Sequence, residues 1–154
     1  MKFKLKLTIE KPLADVWNIF ADAENLKKWQ PTLKKIDVIS GTPGQTGSVS
    51  KLIYEESERE FSLTEKIIHR EKPHRLYSSY ENEFAHNTDR NTFTELDPDK
   101  TLWDLETEYK FKTLIMKITG TLMKRNFVRR AYRDMERFKE FAESIQGDTH
   151  DHSQ

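Results

Sequence analysis

The order in which periodicities follow one another along this chain constrains its fold more than any single motif. Phe3, Leu5, Leu7 and Ile9 alternate with Lys2, Lys4, Lys6 and Thr8, the period of a strand with one wet face. Pro12 then opens a helix carrying Leu13, Val16, Trp17 and Phe20 on one side. A second short helix is predicted around Ala23 to Trp29, with Leu26 and Trp29 three apart on one face, and Pro31 stops it. From there the chain reads as strand for about eighty residues, until helical spacing returns near Leu114. An antiparallel sheet has one apolar face to cover, and a long terminal helix covers it. A curved sheet closed in this way leaves a cavity, and function is expected there.

Within the strand region, Ile36 and Val38 alternate along a strand from Leu33 to Ser40. The turn Gly41 to Gly47 leads to a third strand, Ser48 to Glu55, and Glu56-Ser57-Glu58-Arg59 forms the next turn. Phe61, Leu63, Glu65 and Ile67 mark strand four, which Lys72-Pro73 ends. His74 to Asn82 and Ala85 to Leu96 are strands five and six, and Asp97-Pro98-Asp99-Lys100 is a strong turn signal. Strand seven sets Trp103, Leu105, Thr107, Tyr109 and Phe111 against Asp104, Glu106, Glu108 and Lys110. Short turns between consecutive strands predict an antiparallel meander.

One closing helix is predicted from Leu114 to Gln146. Its apolar stripe runs through Met116, Gly120, Met123, Phe127, Ala131, Met135, Phe138, Ala142 and Ile145. The first half, with Gly120 and two methionines, suits a cavity wall, and the aromatic second half suits packed core. Ordinary core throughout is the competing reading. Lys124, Arg125, Arg129, Arg130, Arg133 and Arg137 read as its solvated face, with contact to an anionic membrane as the lesser alternative. Residues 1–146 are expected to form one domain. Gly147 to Gln154 is a polar tail expected to be disordered, and His150 and His152 are read as part of it rather than as metal ligands.

Composition narrows the function classes. Lys+Arg and Asp+Glu each number 26 in 154 residues, so zero formal charge gives no global electrostatic case for nucleic acid or an acidic membrane as the main partner. Hydrophobic residues make up 35%, below the usual share, which strands with one wet face explain; 11% aromatics and sustained periodicity argue against disorder. The absence of cysteine excludes disulfides, thiolate catalysis and cysteine metal sites. The N-terminus is charged at every second residue, unlike a signal peptide, and no apolar run approaches the roughly 20 residues of a membrane span. A soluble, cytoplasmic protein without stable membrane insertion is expected.

Three short motifs then carry a resemblance: Pro12-Leu-Ala-Asp-Val16-Trp17, Phe20-Ala-Asp, and Leu26-Lys-Lys-Trp29-Gln-Pro31. In this order they resemble the opening of the START-like helix-grip (SRPBCC) superfamily, and most nearly its polyketide cyclase/dehydrase and lipid-transport branch. The glycine-rich turn Gly41 to Gly47, and Thr101 to Tyr109 leading into the last helix, fit as well, so the resemblance covers Lys2 to Gln146. It implies an α+β helix-grip fold: a seven-stranded curved antiparallel sheet around a long C-terminal helix, with two short helices between strands one and two. Members bind lipids, sterols, hormones, quinones or polyketides, and only some are enzymes.

Candidate residues follow from the faces. Glu65 is in phase with Phe61, Leu63 and Ile67, and an inward carboxyl with a raised pKa is how acid–base sites are built. Arg90 faces inward if the strand six–seven turn has no bulge; one bulge puts Phe93 inside instead. Trp103, Tyr109 and Tyr80 are expected to line the cavity with Gly120, Met123 and Met116, and Trp17 to support the helix–sheet junction. Gly41, Gly44 and Gly47 join two strands without a Lys-Ser/Thr ending and read as a turn, not a phosphate cradle. His69, His74 and His86 have no metal-ligand spacing, and no nucleophile elbow or nucleotide fingerprint is present, so no metal or cofactor is expected. The favoured function is binding, transport or sequestration of a small hydrophobic or aromatic ligand. The alternative is a cyclase- or dehydratase-like enzyme in which Glu65, Arg90 or Tyr109 polarises a ketone. A third reading acts through a protein partner.

Overall fold

The computed structural model describes residues 1–145. The expected tail, its two histidines and the helix end at Gln146 lie outside the described residues. β1 (Lys2–Ile9) is followed by α1 (Leu13–Phe20), a 3-10 turn (Ala23–Asn25) and α2 (Leu26–Trp29). Then come β2 (Leu33–Ser40), β3 (Val49–Glu56), β4 (Arg59–Glu71), β5 (Arg75–Glu81), β6 (Ala85–Asp97) and β7 (Lys100–Phe111). All pair antiparallel in one seven-stranded sheet of order β1-β7-β6-β5-β4-β3-β2. The chain closes with α3 (Leu114–Leu122) and α4 (Lys124–Ser144).

The wet face of β1 pairs its charges across to β7. Lys2, Lys4 and Lys6 stand opposite Glu108, Glu106 and Asp104 on β7, with N···O separations of 3.6, 3.4 and 3.5 Å. Exposed pairs of this kind add little stability, but a one-residue slip would misalign every one of them. On the other face Ile9, Phe93 and Trp103 pack with Val16 and Trp17 of α1 and with Met135, Phe138 and Ala142 of α4. Phe138 is the hub. Its ring meets Phe20, Trp29 and Trp103 at centroid separations of 5.2, 5.3 and 5.3 Å, each nearly edge-on.

The single closing helix is corrected to two. Its apolar stripe is continuous in sequence, but Thr121 Oγ1 donates to the Lys117 carbonyl at 2.8 Å, a side-chain bond that competes with the helical ladder. Gly120 beside it is a poor helix former, and Met123, at φ −93° and ψ 9°, separates the segments.

Gly120 is also not on a cavity wall. It is buried against Phe111, and a methyl group there would overlap the ring. Gly120→Leu is therefore expected to destabilise the protein by roughly 1–3 kcal/mol in urea denaturation, although helix propensity alone favours the substitution. An unchanged or raised stability would mean that α3 does not rest on Phe111.

Candidate functional site

Strand register decides what the concave face presents. Glu65, Tyr80, Asn87 and Tyr109 are successive cross-strand partners from β4 to β7. The adjacent row is Ile67, Ser78, Asp89 and Thr107, reaching Phe3 on β1. These rows form a polar band across an otherwise apolar surface, with Leu52, Leu63, Tyr54 and Phe61 on one side and Leu76, Leu105 and Trp103 on the other. Phe127, Ala131, Asp134 and Met135 of α4 face the band, and a cavity of about 940 Å³ lies between.

The polar groups are held in place. Trp103 Nε1 donates to Asn91 Oδ1 at 2.9 Å, and Asn91 Nδ2 donates to the Leu76 carbonyl at 3.2 Å, which fixes the cavity floor. Thr107 Oγ1 donates to Asp89 Oδ1 at 2.9 Å, and Asn87 Nδ2 reaches the same oxygen at 3.5 Å. Tyr54 donates from its hydroxyl to Gln30 Oε1 at 2.9 Å, tying β3 to the segment after α2. At the rim Arg130 of α4 pairs with Glu56 of β3 across the opening. Arg70 donates to the Gly44 carbonyl at 2.8 Å and so anchors the glycine-rich turn, whose Gly44 adopts φ 79°.

Burial sets the protonation of the band. It raises the pKa of Glu65; the Tyr80 hydroxyl opposes that shift and the Asp89 charge adds to it. Burial likewise pushes the Asp89 carboxyl up to about 6 against the pull of its Thr107 and Asn87 hydrogen bonds. Among the described residues no cation is one of the groups that shift either carboxyl. Burial first, and neighbouring carboxylates next, raise the Tyr80 and Tyr109 hydroxyls, so both stay protonated. The band therefore combines phenol donors with two acids that change charge closer to neutrality than free carboxyls do. Such a set can hydrogen-bond a ligand carbonyl or exchange protons with it.

Glu65, Tyr80, Tyr109 and Trp103 all reach the cavity wall. Three expected lining residues do not. Gly120 lies on Phe111, Met123 is exposed at the α3–α4 junction, and Met116 belongs to α3, which is not part of the wall. Arg90 is also corrected: it pairs with Glu106 at 3.5 Å on the outer face. The cause is a bulge between Glu95 and Asp97, which sets Phe93 opposite Trp103 and turns Asn87, Asp89 and Asn91 inward. Those three, with Tyr54 of β3 and Asp134 of α4, are cavity residues that sequence reasoning missed. Both faces of β6 are polar from His86 to Thr92, and the apolar markers of direction, Ala85 and Phe93, stand at either end of that stretch. Arg129, Arg130, Arg133 and Arg137 edge the cavity rather than forming only a solvated face.

A family model described as polyketide cyclase / dehydrase and lipid transport matches residues 1–143. The chain belongs to this family. No curated protein matches it in sequence. Among solved structures, a START superfamily protein from Mycobacterium smegmatis superposes with a TM-score of 0.78 at 12% identity, over 94% of this chain and 99% of that one. The Zhui aromatase/cyclase from Streptomyces sp. R1128 gives 0.74 at 14% identity, over 93% of each chain. Norcoclaurine synthase from Thalictrum flavum, in complex with dopamine and hydroxybenzaldehyde, gives 0.73 at 15% identity, over 96% and 88%. At such identities the likeness establishes the helix-grip fold that the family shares, and the cavity must speak for its own chemistry.

Proposed function

We propose that residues 1–146 act as one ligand-binding domain for a small, largely apolar or aromatic molecule that carries a carbonyl, hydroxyl or amine group. The observation that carries this reading is the polar band crossing an apolar chamber of about 940 Å³. Apolar rows on either side supply burial, and a few fixed polar groups orient the ligand. Membership in a family described by cyclisation, dehydration and lipid transport supports the same site. A second reading, acid–base catalysis of the cyclase or dehydratase kind, is favoured by Asp89. A carboxyl at about 6, beside Glu65 and Tyr80, is poised to trade protons near neutral pH.

Ala131→Trp provides the test, because Ala131 is a half-buried residue of α4 that lines the cavity. The variant is expected to keep its melting temperature and to lose at least about tenfold in affinity for a fluorescent apolar probe. Native mass spectrometry of the wild type is expected to show a co-purifying small molecule. Unchanged probe affinity would place binding elsewhere. Consumption of a candidate polyketide, rather than its retention, separates the second reading from the first.

A further inference from the structure

The helix α3 meets the rest of the domain through one small face, with Gly120 on Phe111 and Met116 half-buried. Among the described residues nothing covers its other face. Leu114, Ile115, Ile118 and Leu122 are 72%, 77%, 54% and 82% exposed, and Met123 follows at the junction with 44%. Single exposed apolar residues are ordinary, but five within ten positions make a patch that a soluble domain rarely leaves uncovered.

The charge around the patch names its partner. From Thr113 to Arg133 there is no acidic residue; Lys117, Lys124 and Arg125 lie within and just after α3, and Arg129, Arg130 and Arg133 carry the charge on to the cavity edge, where Arg130 pairs with Glu56. The whole chain balances at zero, so this segment is a local concentration of positive charge. We infer that α3 and the first turns of α4 form a peripheral docking surface for an anionic phospholipid bilayer. An apolar face flanked by cations is what an interfacial helix requires: its side chains enter the acyl boundary while the cations meet the headgroups. Nine residues are too few to cross a bilayer, so α3 lies along the surface. A second copy of the chain suits the patch poorly, because a two-fold contact would set these cations against their own equivalents. The surface also adjoins the cavity, since Phe127 and Arg129 of α4 line it one turn after Met123.

Co-sedimentation with vesicles tests the inference without reference to any cavity ligand. The wild type is expected to sediment with phosphatidylcholine vesicles containing about a quarter phosphatidylserine, and to be released by about 0.5 M salt. Ile118→Asp/Leu122→Asp removes the apolar contact at exposed positions, and Lys124→Glu/Arg125→Glu reverses the adjacent charge. Each pair is expected to reduce the bound fraction at least about tenfold while leaving thermal melting unchanged. Absence of binding to the anionic vesicles, or binding undiminished in both variants, overturns the inference. So does a dimer in analytical ultracentrifugation that Ile118→Asp/Leu122→Asp dissolves, because the occupant is then a second copy.

Discussion

Phe138→Ala is expected to destabilise the protein by on the order of 3–5 kcal/mol, a large share of the margin by which a domain of this size stays folded. The ring is fully buried, and its neighbours Phe20, Trp29 and Trp103 come from α1, α2 and β7. Three rigid rings anchored on three elements cannot collapse into the space left behind, so both the transfer and the cavity penalties apply in full. Urea denaturation with an unchanged slope is the measurement. A loss below about 1 kcal/mol would mean that α4 does not seat this ring in the core.

Asp89→Asn is expected to act in the opposite direction at neutral pH. The folded protein holds this carboxyl at about 6, against 3.8 for the ordinary group. Its protonated form is therefore favoured by folding. That contribution is fully present below 3.8 and is lost as pH rises through about 6. At pH near 7.5 the native protein carries a half-buried anion at a cost of at most about 2–3 kcal/mol, less where cavity water reaches the carboxyl. Asparagine retains an acceptor for the Thr107 hydroxyl and carries no charge. The variant should be more stable than wild type near pH 7.5, with the gap closing towards pH 4, as read from urea midpoints across that range. Glu65 shifts in the same direction, so some pH dependence remains in the variant. A variant that is less stable near pH 7.5, or a gap that does not vary with pH, would contradict this account of the Asp89 anion. A residue whose neutralisation stabilises the fold is also the kind that function retains against stability.

The parts of this molecule legible in its sequence are those where one face is apolar and the other is not. β1 and β7 alternate cleanly, so their direction follows from Phe3, Leu5, Trp103 and Leu105 alone. The seven strands, the two short helices and the burial of Phe138 follow the same logic. Two features escaped it. The inward face of β6 is as polar as its outward face, so periodicity could not choose between Arg90 and Asp89. The α3–α4 break is invisible to a stripe argument because helical spacing continues through Met123, while the cause is a hydroxyl bond from Thr121 and a glycine packed on Phe111. Glu65, Tyr80 and Tyr109 were accessible because their strands carry unambiguous apolar neighbours in phase.

The bulge at Leu96 has a consequence for how this cavity's chemistry can evolve. The hairpin closes with Asp97 opposite Lys100, and the extra residue is what sets Asp89 rather than Arg90 in the interior alongside Glu65. Loss of that single codon would slide β6 by one position, carrying Asp89 to solvent and bringing Thr88, Arg90 and Thr92 inside, with no substitution at any lining position. Charge specificity in such a scaffold is thus inheritable through an indel in a solvent-exposed hairpin, far from the ligand. Homologues aligned through β6 share cavity chemistry only if their hairpins match in length, whatever residues occupy the column of Asp89.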